Sequence, residues 1–207
     1  MSTPTTTEPS RAPGRRHSDA TRERILRAAA RTLATQGYAR THLSDIATAA
    51  GLRAPALYYY FPSREALIGE VLREGQVRVR GHVLQALQDL PPCATARTKV
   101  TTVVAAHLNV QLKLSDFALA VVRTLAHVPP DVRAFVEPEV ERYHEVWRGL
   151  LAEAASDGQL RAGLDPSIAR MLAVGSLNWA AEWHNDATPV PLVVANATYI
   201  IGHALFE

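Results

Sequence analysis

The chain of 207 residues is predicted to be all α-helical, in two units: an N-terminal three-helix helix-turn-helix domain and a larger C-terminal helical domain. Three observations carry this expectation. Apolar residues recur at helical spacing along most of the chain, and no stretch shows the alternation of a strand. Glycine is sparse inside the apolar runs, and Pro-Pro, Asp-Gly and Asp-Pro pairs punctuate them. Residues 43–67, LSDIATAAGLRAPALYYYFPSREAL, hold a short helix pattern, a glycine, a second short helix and a capped start to a third.

Residues 1–17 are rich in Ser, Thr and Pro and are expected to be a disordered basic arm. Its Arg11, Arg15 and Arg16 either track phosphates or merely solubilise the tail. The first helix starts at Ser18 or Asp19, carries the stripe Ile25, Leu26, Ala29 and Leu33, and ends at Gly37 as a left-handed cap. The second starts at Thr41 or His42 and buries Leu43, Ile46, Ala47 and Ala50. Gly51 makes the turn, where a positive φ costs least. Arg53 precedes the third helix, Ala54–Tyr60, and Pro55 suits its first turn, where no N–H is needed. Ser63 caps a long helix reaching about Leu87. Further helices are expected over Ala94–Leu112, Asp116–Ala126, Asp131–Ser156, Pro166–His184 and Pro191–Leu205, with Pro138 either kinking its helix or marking its true start. The resulting division is arm 1–17, helix-turn-helix 18–64 and helical body 65–207.

A helix-turn-helix places its second helix in the DNA major groove. Charge agrees with that use. Residues 1–64 hold ten arginines against four acids, whereas residues 65–207 hold 12 basic and 16 acidic residues. A basic front end on an acidic body is the footprint of a nucleic-acid module joined to something else. On the third helix Leu57 and Phe61 share an inward face. Tyr58, Tyr59 and Tyr60 cannot all be core, because adjacent helical residues point about 100° apart. Phosphate oxygens are natural partners for exposed phenols, and Arg64 stands near enough to clamp a phosphate too.

Other chemistries lack their signatures. The single cysteine, Cys93, excludes an internal disulfide and fits a reducing cytoplasm. There is no run of 18 apolar residues, so no membrane span is expected, and the N-terminus lacks the apolar stretch of a signal peptide. The eight histidines show no H-x-x-x-H spacing. No nucleophile elbow, phosphate loop or dinucleotide fingerprint appears. No catalytic residue, metal or cofactor is expected.

The stretch Thr21–Glu74 resembles the DNA-binding domain of the tetracycline-repressor-like (TetR/AcrR) family of bacterial regulators. The resemblance rests on Ile25, Ala29, Gly37-Tyr38, Ile46-Ala47, Ala50-Gly51, Leu57-Tyr58, Tyr60-Phe61 and Ser63-Arg64-Glu65-Ala66-Leu67. It implies that Ala54, Pro55, Ala56 and Tyr58 approach bases, that Tyr59, Tyr60 and Arg64 bind phosphate, and that Thr41 and His42 lie at the DNA backbone. His42 stands where the family often has threonine, Tyr60 where it often has histidine, and Arg64 where it usually has lysine. Only Arg53 offers a bidentate contact to guanine, so Arg53 and Tyr58 are expected to dominate readout, with Pro55 and Ala56 touching thymine methyls.

The resemblance also implies a body that binds a small-molecule effector and dimerises through the last two long helices. Pro166–His184 and Pro191–Leu205 supply the apolar surface for that contact, with small residues such as Ala173, Gly175, Ser176 and Ala197 allowing close approach. Asn178-Trp179 and Trp183-His184, one turn apart, resemble the branch that senses acyl-CoA thioesters. Interface or core anchoring is the favoured account of the two tryptophans, because aromatic residues dominate both settings. Candidate ligand-binding residues are His107, Gln111, Phe117, Arg123, His127, Tyr143, Trp147 and Asn178, a few polar groups among apolar walls. The expected protein is a cytoplasmic homodimeric repressor released from a palindromic operator by a small hydrophobic effector, acyl-CoA-like or drug-like.

Overall fold

The structure is a computed structural model and describes residues 13–185 and 187–206. Among these residues it is helical, with one isolated bridge between Leu160 and Phe206. The first helix, α1, spans Pro13–Arg40 and is broken at Gly37, where φ is 72° and ψ is 178°. The break stands where the sequence placed it, but its geometry is not the left-handed cap. It is an extended mirror-image conformation open essentially only to glycine. The helix also begins before Ser18 and Asp19, taking in residues 13–17 of the expected arm. Arg11 lies outside the described residues.

Helices α2 (Leu43–Ala49) and α3 (Ala54–Tyr60) form the helix-turn-helix, with Gly51 at φ 65° between them. Helix α4 (Arg64–Gln88) starts where the Ser63 hydroxyl accepts the Ala66 N–H at 3.0 Å. Helix α5 (Ala96–Asn109) is shorter than expected, because Val110–Leu114 winds into a π-helical turn before α6 (Asp116–Thr124). Helix α7 (Pro130–Ser156) runs through Pro138 without a break. Pro138 is exposed, so the carbonyl it leaves unbonded faces water. Helices α8 (Pro166–Trp183) and α9 (Val190–Leu205) follow, α8 beginning where the Asp165 carboxylate accepts the N–H groups of Ser167 and Ile168, both at 2.9 Å.

Two apolar cores result. One gathers Ile25, Leu33, Ile46, Leu57 and Phe61 with Leu67, Val71 and Leu72 of α4, and continues into Phe117 and Val121 of α6 and Val132 and Val136 of α7. The other packs α4, α5, α7, α8 and α9 around Trp147, Leu108, Leu151 and Leu177. Helices α4, α6 (through Ala118) and α7 belong to both, so they are the physical link between the helix-turn-helix and the body. Gly75 lets α4 and α6 meet: a Cβ there would stand 2.5 Å from the Phe117 carbonyl oxygen and from a Val121 methyl.

Candidate nucleic-acid interface and effector cavity

Helix α3 is held by Leu57, 1 % exposed, and by Phe61, and it turns its remaining residues outward. Arg53, Pro55, Tyr58 and Tyr59 are exposed, Tyr59 at 82 %, while Ala54 and Ala56 are half-buried. Tyr60 is half-buried, its ring edge-on to Tyr59 at 5.0 Å between centroids. His42 is exposed at the start of α2. The outer face of α3 thus stands open to solvent over its first two turns.

Two residues expected at phosphates are turned inward instead. Thr41 is fully buried, and its hydroxyl donates to the Gly37 carbonyl at 2.7 Å. Arg64 is the first residue of α4. Its Nε–H donates to the Thr41 carbonyl at 2.9 Å, and an Nη–H donates to the Tyr38 carbonyl. The guanidinium lies 4.2 Å from the Tyr38 ring centroid and 3.3 Å from a Glu65 carboxylate oxygen. Helical side chains lean toward the N-terminus, so an arginine at the first position reaches back over the preceding segment. Arg64 therefore staples the start of α4 to the segment between Gly37 and α2.

In the body, His107, Gln111, Tyr143 and Asn178 do converge, lining a cavity of about 310 Å³ between α4, α6, α7 and α8. Its other walls include Val79, Val121, Leu125, Val140 and Val174. The Gln111 amide nitrogen lies 3.0 Å from the Leu177 carbonyl, so the NH₂ must face it and Oε1 must accept. His107 Nε2, 2.8 Å from that Oε1, is then the protonated nitrogen. His107 Nδ1 accepts from the Tyr143 hydroxyl at 2.6 Å, and the Tyr143 oxygen accepts from Trp147 Nε1–H at 3.0 Å. One directional chain thus runs Trp147, Tyr143, His107, Gln111, α8 backbone. The π-helical turn carries Gln111, consistent with the frequent use of such turns at functional sites.

Every ionisable member of this chain is neutral. Burial lowers the His107 pKa to about 4, against hydrogen bonds from Gln111 and Asn178 that favour the proton. Burial likewise pushes the Tyr143 phenol well above its ordinary value, despite the Trp147 hydrogen bond. His144, at the cavity wall, is lowered by burial and then by the Arg170 charge. Apart from Arg133 in its wall, the cavity therefore presents neutral polar groups and apolar side chains.

Other expected ligand residues lie elsewhere. Phe117 is buried in the core beneath α1, with the Arg78 guanidinium 3.9 Å from its ring centroid. Trp147 is fully buried and touches the cavity only through Tyr143. Arg123 and His127 line a separate open groove between α1, α6 and α8, which shares Val122 and Asn178 with the cavity wall. Sequence reasoning missed Gln76, Arg133 and His144 in the cavity wall. Gln76 carried a readable signal, a polar residue on the apolar stripe of Leu72, Val79 and Val83.

Helices α8 and α9 leave a broad apolar face uncovered: Ile168, Leu172, Trp179, Trp183, Tyr199 and Ile200, each about half exposed or more. Patches of this kind mark interfaces. Among the described residues no helix is long and apolar enough to cross a membrane, and no group of His, Cys, Asp or Glu could hold a metal ion.

Comparison with known proteins agrees with this geometry. The family described as "Bacterial regulatory proteins, tetR family" matches residues 25–71, and "Tetracyclin repressor-like, C-terminal domain" matches residues 93–190. The HTH-type transcriptional repressor KstR2 of Rhodococcus jostii is 26% identical over 182 residues, covering 86% of this chain and 87% of its own. The fatty acid metabolism regulator protein of Bacillus subtilis is 24% identical over 155 residues, covering 74% and 78%. Among solved structures, AibR in complex with isovaleryl coenzyme A and operator DNA superposes with a TM-score of 0.77 at 20% identity, covering 90% of this chain and 98% of that one. Together the two family matches span most of the chain. It belongs to the tetR family of bacterial regulatory proteins and is a DNA-binding transcriptional regulator.

Proposed function

We propose that the protein is a homodimeric repressor that leaves a palindromic operator when a coenzyme A thioester occupies the cavity between α4, α6, α7 and α8. The observation that carries this reading is the cavity itself: a largely apolar chamber whose buried polar groups are neutral, with Arg133 as the cation in its wall, enclosed by helices α4, α6 and α7 that also pack on the DNA-binding core. A neutral thioester brings no charge that the neutral His107 and Tyr143 would have to meet. At about 310 Å³ the cavity is at the small end of ligand sites, roughly 300–1,000 Å³, which favours a short or branched acyl group over a long one. The AibR structure holds isovaleryl coenzyme A, and the Bacillus subtilis FadR structure holds stearoyl-CoA.

On DNA, two copies of α3 would sit about one turn apart in successive major grooves. Arg53 is assigned the guanine contact, Tyr58, Pro55 and Ala56 the neighbouring base edges, and Tyr59, Tyr60 and His42 the backbone. The effector binds better to a conformation with mis-spaced α3 helices and shifts the population toward it. The partition into a helix-turn-helix over 18–64 and an effector and dimerisation body over 65–207 is part of the proposal. An operator selection with purified protein, followed by mobility shifts with isovaleryl-CoA and stearoyl-CoA, tests it. Isovaleryl-CoA should dissociate the complex at the lower concentration. Unchanged operator affinity with both thioesters would overturn the effector reading.

A further inference from the structure

The groove between α1, α6 and α8 has a volume of about 590 Å³ and lies next to the cavity, with Val122 and Asn178 in the walls of both. It has the opposite chemistry. Arg40, Arg123 and His127 line it, against one acid, Glu182. Arg123 holds a particular position there. One of its terminal nitrogens donates to the Ala34 carbonyl of α1 at 2.5 Å, the other to the Ala181 carbonyl of α8 at 3.2 Å.

Both carbonyls belong to helix ends. Ala34 lies in the last turn before the Gly37 break, and Ala181 in the last turn of α8. Such carbonyls lack an intrahelical partner and carry the negative end of the helix dipole. A single guanidinium thus caps two helices at once and ties the DNA-binding domain to the dimerisation helix. Its own helix, α6, walls the cavity through Ala118, Val121, Val122 and Leu125.

We infer that this groove is the seat of the phosphates of the effector, and that their binding draws Arg123 off the Ala34 and Ala181 carbonyls. The inference rests on the thioester reading above. An acyl group in the cavity leads its chain past Asn178 into the groove, where Arg40, Arg123 and His127 face it. A phosphate oxygen is a stronger acceptor for a guanidinium than a neutral carbonyl, because the bond is charge-assisted and can be bidentate. Moving Arg123 onto phosphate leaves two helix ends uncapped and frees α1 from α8. Cavity and groove then act in series: the cavity selects the acyl group, and the groove converts the charged remainder into domain release.

Isothermal titration and operator anisotropy with isovaleryl-CoA and isovaleryl-pantetheine, which lacks the nucleotide phosphates, provide the test. The wild type should bind the coenzyme A thioester at least about tenfold tighter, as expected for one charge-assisted contact or more. Arg40→Gln and Arg123→Gln should each bind the two thioesters within a few-fold of one another. Arg123→Gln should also bind operator about tenfold more weakly without any thioester, because the clasp is already open. Arg40 is exposed and its replacement does not threaten the fold. If the wild type binds both thioesters equally, the groove has no phosphate role, while the effector reading survives. If neither thioester binds, both fail. If Arg123→Gln binds operator as well as the wild type does, the clasp does not couple the two helices.

Discussion

Arg64 shows how far one residue's surroundings can redirect its chemistry. A cation one step beyond the recognition helix reads as a phosphate clamp. The structure sets it against the Tyr38 and Thr41 carbonyls and the Tyr38 ring instead. The two roles are separable by Arg64→Lys. Lysine keeps the charge a phosphate needs but lacks the planar fork that spans two carbonyls and stacks on a ring. The expected result is a stability loss of ~1–3 kcal/mol in urea unfolding, with a parallel fall in operator binding. A variant as stable as the wild type would return Arg64 to the phosphate role.

His107 makes a second prediction at the same scale. In the unfolded chain it takes up a proton near pH 6.5, whereas in the native protein it does so only near 4. The unfolded state binds more protons in that interval, so stability must fall as pH drops from about 6.5 to 4, at up to ~1.4 kcal/mol per unit. Unfolding midpoints of the wild type and His107→Gln across that interval should diverge, the variant losing this one-proton dependence. Parallel curves would mean that His107 is charged in the native state or is not buried.

At the scale of elements, the helices were legible because their apolar stripes and caps are local properties. Ser63, Ser115, Thr95 and Asp165 all accept backbone N–H groups at helix starts. What was not legible is which face of α6 meets which neighbour. That short helix is covered by α1 and α4 on one side and by the cavity on the other, so its periodicity does not say which face lines the cavity. Phe117 was assigned to the cavity for that reason, and it lies on the other side. The π-helical turn after α5 was also invisible, since its extra residue leaves no pattern in the sequence. The close approach at Gly75 likewise has no local signature in the sequence. Gly75→Ala forces a methyl against the Phe117 backbone, and α4 and α6 must separate to admit it. A loss of about 1–3 kcal/mol in thermal stability is expected, against an unchanged melting temperature if the two helices are free to slide.

For the whole molecule, the two units are coupled because α4, α6 and α7 are shared between their cores, so neither can shift without the other. The remaining requirement is a second copy. Leu172 and Ile200, 71 % and 62 % exposed, lie on the uncovered face of α8 and α9. Leu172→Glu or Ile200→Glu should yield monomers in sedimentation while leaving the fold intact. Operator affinity should then fall by orders of magnitude, since each α3 loses the effective concentration that its tethered twin provides. Dimers that persist in both variants would place the interface elsewhere. The sequence marked these two helices but not the face: Trp179 and Trp183 read there as interface or core anchors alike, and Ala173, expected in the contact, is buried in the monomer core. It carried the DNA face only in part. Exposure of Tyr58 and Tyr59 follows from helical spacing, whereas the inward turn of Thr41 follows from the Gly37 backbone it bonds.

The three tryptophans make the protein its own optical reporter. Trp147 is fully buried at the head of the hydrogen-bonded chain behind the cavity, while Trp179 and Trp183 stand in solvent on the α8 face. Trp147 should emit at short wavelength and resist aqueous quenchers, and the other two should emit further to the red and be quenched readily. Filling the cavity disturbs the first signal through Tyr143; pairing of two chains shifts the second. Because Trp179 also lines the groove beside Arg123, the Trp179→Phe variant is the one in which an emission spectrum, divided by iodide accessibility, would follow ligand occupancy and self-association as separate events.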